Sequence, residues 1–309
     1  MTDAPEVTGL GLPHDLQSPL TPLIAGHVRR HAGLAPAPSI IDAGACFNDE
    51  LFGLQNCALF QALEEKAKTD VRAACAAGVI EEAYFIEKAG LAYGARMLLA
   101  AQTTQERQMF ALLTGDEATH LAWLAPFVPK ARRQAAGSPF HRLIAELIET
   151  GPPRVLVYVL QVILEGWGLT HYRRLEGACS LAGLQDVLRA ILKDEALHHK
   201  TGLTLLDAPR FNAAERAFTV EALAGFLTLV RVGPLAVTGA VAHGLGETGN
   251  AGLCALHQAL DPDGVQTAAN LALLRSLMQA DGMGWAVEAA EGLGLFCPMP
   301  VREAVGFIA

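Results

Sequence analysis

Apolar positions along the middle of the chain recur with a helical spacing. From Thr69 to about Ala101 the pattern predicts one helix, with Asp70 near its start as a cap. Thr103-x-x-Glu106 reads as a capping box that opens a second helix, which must end near Pro126. A longer connection follows to about residue 152, with a short helix expected over 140–149. "GPPR" at 151–154 opens a third helix running to about Ala178, since proline is tolerated in a first turn. A fourth spans about 183–206 and stops before Pro209. Asn212-x-x-Glu215 is another capping box, and three to five shorter helices follow, broken by Pro234, Gly-rich turns and "DPDG" at 261–264. Residues 1–50 are rich in Pro, Gly and His and read as an irregular arm, with a short helix over 53–66. The order helix, short turn, helix, long crossover, helix, short turn, helix is that of a four-helix bundle with one long crossover.

Composition agrees with an all-α class. Hydrophobic residues make up 51% of the 309 residues and charged residues 18%, and Ala and Leu dominate over β-branched runs. The formal charge of -9 argues against a general nucleic-acid binder, which needs a basic surface. The six cysteines form no C-x-x-C pair, so no zinc ribbon or rubredoxin-type iron site is signalled. The first residues lack a basic stretch followed by an apolar run, so no signal peptide is expected, and free thiols fit a cytoplasmic protein. The most apolar tract, 222–245, is interrupted by Arg231 and Pro234 and is expected to form two buried helices, with no membrane span.

One motif occurs twice. "GDEATHLAWL" at 115–124 and "KDEALHHKTG" at 193–202 share D-E-A-x-H. A shift of 78 residues carries Glu117 and His120 onto Glu195 and His198, and also Glu87 onto Glu165, Gly90 onto Gly168, Leu91 onto Leu169 and Arg96 onto Arg174. A duplicated two-helix unit is the simplest account. Glu and His three residues apart share one helix face. The lone Glu precedes each E-x-x-H by 30 residues, and the midpoint falls where capping places the turn. Both arms therefore reach the same depth, roughly 20 Å from the turn at 1.5 Å per residue. Two such hairpins bring Glu87, Glu117, Glu165 and Glu195, with His120 and His198, to one level. Four buried carboxylates are prohibitively costly alone, and two divalent cations neutralise them. Glu81 and Glu82 are rivals for the first ligand, but only Glu87 keeps the repeat in phase.

On these residues, positions 70–205 resemble the ferritin-like di-iron carboxylate superfamily. The Asp before each E-x-x-H, Asp116 and Asp194, is similar to the D-E-x-x-H form found in bacterial multicomponent monooxygenases and ribonucleotide reductase small subunits. That resemblance implies that Asp116 orients His198 and Asp194 orients His120, fixing tautomer and ligand basicity. Two departures matter. Ile191 stands where arylamine N-oxygenases carry an extra His ligand, and Leu124 stands where the reductase small subunit carries its radical tyrosine.

The resemblance implies two iron ions, or two manganese or a mixed Mn/Fe pair. It further implies an oxygenase or oxidase that activates O2 to hydroxylate, desaturate or N-oxygenate a small, apolar organic substrate, with Glu87, Glu117, His120, Glu165, Glu195 and His198 as the metal-holding and catalytic residues. A manganese catalase or ferroxidase could use the same six ligands, and a metal-stabilised helical binding scaffold is the alternative of another class. A ferredoxin or reductase would supply electrons, and a homodimer is compatible with this reading. The expected divisions are an arm and short helix over 1–68, the di-metal bundle over 69–206, and a helical C-terminal extension over 207–309. Trp123, one turn after His120, reads as core packing with electron transfer as the alternative. His199 reads as a surface residue or a neighbour of the ligands, and Tyr84 and Tyr158 read as packed aromatics. "GLGETG" at 244–249 reads as a turn between helices. Gly90 and Gly168 either allow close helix packing or leave space over the metals.

Overall fold

The computed structural model describes residues 46–134, 138–246 and 249–308. The architecture is almost entirely helical, and the first 45 positions of the expected arm lie outside the described residues. Internal contacts gather the chain into two compact units. One is built on Val79–Leu156, and the other on the chain from Val157 onward with the residues leading up to Gly78.

The first long helix, α1, is Glu65–Ala100, and α2 is Thr104–Leu124. The helix starts earlier than the sequence suggested, so Asp70 lies exposed in its second turn and is no cap. The run Glu65-Lys66-Ala67-Lys68 consists of good helix formers, which extend the helix upstream of Thr69. In place of one short helix over 53–66 there are 3-10 turns at Asp49–Phe52 and Leu54–Asn56 and a helical turn at Ala58–Gln61. The Thr103 capping box forms as expected: the Thr103 hydroxyl accepts from the Glu106 N–H, and the Glu106 carboxylate accepts from the Thr103 N–H. The pairs Glu87–His120, Gly90–Glu117 and Gly94–Thr114 then run antiparallel across the hairpin, away from that turn. The crossover carries α3, Pro139–Thr150, whose box is closed by Ser138 and His141. Arg96 ties α1 to the end of α3 by donating to the Gly151 carbonyl at 2.7 Å.

The third bundle helix begins at Pro153, as "GPPR" suggested, but it is not α-helical throughout. Val157–Leu164 is a π-helix, and the regular helix α4, Glu165–Ala178, starts directly after it. The fourth helix, α5, is Ala182–Leu205. Arg189 on α5 bonds Glu176 on α4, while Gln161 donates to the His198 carbonyl further from the turn, so this pair is also a hairpin.

The C-terminal extension holds α6 (Ala213–Arg231), α7 (Leu235–Leu245), α8 (Asn250–Leu260), α9 (Val265–Met278) and α10 (Gly284–Gly292), with a last turn at Val301–Ala304. The Asn212–Glu215 box caps α6. A break at Gly233 (φ 68°) and Pro234 separates α6 from α7. Ala213–Leu245 is long and apolar enough to cross a membrane by length and composition alone, and 28% of its most apolar window is buried. The expected pair of buried helices is therefore mostly half-buried, because only one face of each (Thr219, Ala222, Leu223, Phe226 and Leu227, then Thr238, Val241 and Ala242) is buried. All six cysteines are free thiols. Of "GLGETG", Gly244 and Leu245 end α7, Gly246 caps it at φ 67° and Gly249 precedes α8, while 247–248 lie outside the described residues.

Candidate metal centre

Each hairpin delivers one lone Glu and one E-x-x-H to the same depth. On α1, Glu87 is 1% exposed. On α2, Glu117 is 5% and His120 0% exposed. The His120 Nδ1 lies 3.0 Å from the Glu87 Oε2. On α5, Glu195 is 3% and His198 1% exposed, and His198 Nδ1 lies 3.6 Å from Glu195 Oε2. Glu165, the first residue of α4, is half-buried.

Ligand-capable atoms of Glu87, Glu117, His120 and Glu195 all lie within 4.8 Å of one another, and those of Glu117, Glu165, Glu195 and His198 do so as well. The chain is a ferritin-like four-helix bundle carrying a di-metal ligand set. Glu117 and Glu195 belong to both groups, while Glu87 with His120 and Glu165 with His198 belong to one each. No family model matches the chain, and no curated protein or solved structure matches it either.

The donor chemistry fits a pair of divalent cations. Burying an isolated carboxylate costs several kcal/mol even after the protein relaxes, on the order of the whole stability of a domain when repeated. Four glutamates at one level carry a formal charge that two divalent ions cancel. Carboxylate oxygen with imidazole nitrogen suits iron, manganese or zinc, and the absence of Cys from both groups argues against a copper(I) or iron–sulfur site.

The rival first ligands go elsewhere. Glu81 pairs with Arg132 at 2.8 Å. Glu82 enters neither group, and burial pushes its carboxyl above the usual carboxylate range. Trp123 packs against His120, ring centroids 5.6 Å apart, and its indole N–H is buried without a hydrogen-bond partner. Tyr84 is 1% exposed, and Tyr158 is fully buried with its hydroxyl donating to the Met278 carbonyl at 2.7 Å. Leu124 and Ile191 are fully buried apolar residues.

His199, read as a surface residue or a neighbour of the ligands, is half-buried: its Cε1 would lie 2.9 Å from a Cβ on Gly166, and its Nδ1 is buried without a partner. Two features went unread in the sequence. His171, six residues after Glu165, also has a buried, unpartnered Nε2. Burial, with Arg174 adding to it, pushes that imidazole down to about 4, so it is neutral near pH 7 and offers one N–H and one lone pair. The second is the π-helix that ends at Leu164, directly before Glu165. Such runs are rare and concentrate at functional sites. The equivalent stretch of the first half, residues 79–86, is regular α-helix.

Proposed function

We propose that the chain is a di-iron oxygenase or oxidase that uses dioxygen to oxidise a small, largely apolar organic molecule. The observation that carries this reading is the sharing of Glu117 and Glu195 between two ligand groups, a donor set with room for two metals. Glu87 and His120 would complete one position, and Glu165 and His198 the other. Ferrous iron held by these six residues would be the source of electrons for the reduction of dioxygen. The protein's own contribution is positioning and exclusion of water. The hairpins fix six donors at one depth, and fully buried Tyr84, Leu124 and Ile191 belong to the apolar packing of the helices that carry them. Asp116 and Asp194 are assigned the role of orienting the histidine of the opposite hairpin, which fixes the ring nitrogen left for the metal. Electrons would come from a ferredoxin or reductase.

Metal analysis of the purified protein tests the reading first, and about two irons per chain are expected. Oxygen uptake after anaerobic reduction, measured with an electrode, should then follow the iron content. Manganese at two per chain in protein from the native host, with rapid peroxide disproportionation, overturns the oxygenase reading in favour of a catalase.

A further inference from the structure

The repeat pairs Gly90 with Gly168, yet the two glycines have opposite surroundings. A Cβ at Gly90 would stand 2.6 Å from the Glu117 Cδ. At Gly168, nothing among the described residues lies within 4 Å of the same atom, so Glu195, the counterpart of Glu117, does not fill that place. Gly168 is not on the outer side of its helix. It shares a face with Tyr172 and Leu175, each 2% exposed, whereas Arg173 and Arg174 point outward. Glu165, one turn before Gly168, is the one ligand of the six that is only half-buried. His171, one turn after it, carries the buried nitrogen that has no partner. An orphaned buried polar nitrogen in a native fold calls for an explanation, and an absent hydrogen-bonding ligand is one.

We infer that the open space beside Gly168, between Glu165 and His171 on α4, receives the organic substrate, which is a small, mostly apolar molecule with one hydrogen-bonding group. Gly168 sets how much of it fits, and the His171 Nε2 holds its hydroxyl, carbonyl or amine. This inference rests on the di-metal oxidoreductase reading and places substrate on the Glu165 side of the site. The first half offers no such place, because Glu117 occupies it.

Zinc-loaded protein is the test sample, since zinc is redox-inert and the readout is binding rather than turnover. Metal content is counted, and 1-hexanol binding is followed by calorimetry. Wild type should hold two zinc ions and bind 1-hexanol. Gly168→Leu should keep both zinc ions and weaken 1-hexanol at least about 10-fold, with Gly168→Ala falling between. His171→Phe should keep both zinc ions and weaken 1-hexanol on the order of 5-fold, the loss expected for one hydrogen bond. Unchanged 1-hexanol binding in both Gly168 variants overturns the inference. So does loss of zinc in Gly168→Ala, which would make the glycine a packing requirement. A wild type that binds two zinc ions but no 1-hexanol overturns the substrate site alone. A wild type that binds no zinc overturns the di-metal reading and the substrate site with it.

Discussion

Gly90→Ala adds one methyl group on the face of α1 that meets Glu117. The new carbon would stand 2.6 Å from the Glu117 Cδ, 3.1 Å from its Cγ, and nearer still to Oε2. To restore ordinary contact at 3.4 Å the carboxylate must withdraw by about 0.8 Å, a movement its flexible chain allows. Metal–ligand distances are set to about 0.2 Å, so a displacement of this size spoils a ligand that belongs to both groups. Metal affinity should fall about 10- to 100-fold, the range seen when ligand positioning is disturbed. The metal-free chain should behave in the opposite way. Alanine in a helix interior is favoured over glycine by about 1 kcal/mol, and the three atoms nearest the new methyl all belong to the flexible Glu117 side chain, so the apo protein should melt no lower than wild type. Competition with a chelating dye gives the affinity, and circular dichroism gives the apo melt. Gly94→Ala is the control. Its Cβ would meet the Thr114 Cα at 3.3 Å, which is backbone, so it should lower apo stability by about 1–3 kcal/mol and leave metal affinity nearly intact. Two metals bound by Gly90→Ala at wild-type affinity would refute the reasoning.

Asp194→Ala should weaken metal binding by roughly 10–100-fold while the far-UV spectrum stays helical, and an unchanged affinity removes its orienting role. Tyr158→Phe deprives the Met278 carbonyl, at the C-terminus of α9, of the donor that satisfies it, and urea denaturation should show a loss of about 1–3 kcal/mol. Loss within error of zero would mean that water replaces the hydroxyl. His141 gives a pH signature, because burial pushes its imidazole down to about 4 and its Nδ1 accepts the Ser138 N–H. The unfolded chain takes the proton first, near pH 6.5, so this group costs stability as pH falls from about 6.5 toward 4. In metal-free protein, His141→Gln should flatten that acid slope by at most about 1.4 kcal/mol per pH unit, and an identical slope in both proteins refutes the assignment.

The bundle was legible because its signals are local and its ligands are periodic. Thr103 and Asn212 announced helix starts through reciprocal side-chain and backbone bonds that need only four residues. Glu87, Glu117, His120, Glu165, Glu195 and His198 stood out because the same spacing occurs twice. What could not be read depends on packing. The start of α1 at Glu65 reflects a run of helix formers that outweighs a possible cap at Asp70. The π-helix leaves no residue signature, since "VYVLQVIL" is apolar apart from Gln161 and the Tyr158 hydroxyl and reads as buried helix with either hydrogen-bond register. His171 carries no spacing that sets it apart from a surface histidine, and only the burial of a ring nitrogen does so.

Duplication explains the matched ligands, and divergence explains why the two halves are not interchangeable. In the first half, regular helix leads into Glu87, His120 reaches across to that lone glutamate at 3.0 Å, and Glu117 fills the place beside Gly90. In the second, a π-helix leads into Glu165, His198 stands 3.6 Å from the glutamate of its own helix, and no described residue fills the place beside Gly168. A π-helix has more residues per turn than an α-helix, so eight such residues change the angle at which everything before Glu165 meets the core, while the repeat after it keeps its phase. A site needed only to store charge or hold helices together has no use for that difference. A site that must admit a molecule from one side does, because the ligand set has to stay symmetric enough to hold two metals while one flank gives up packing to make room. The loss of a side chain at Gly168, the half-burial of Glu165 and the unsatisfied nitrogen of His171 fall on one helix within two turns, and each is a local cost that packing alone does not require.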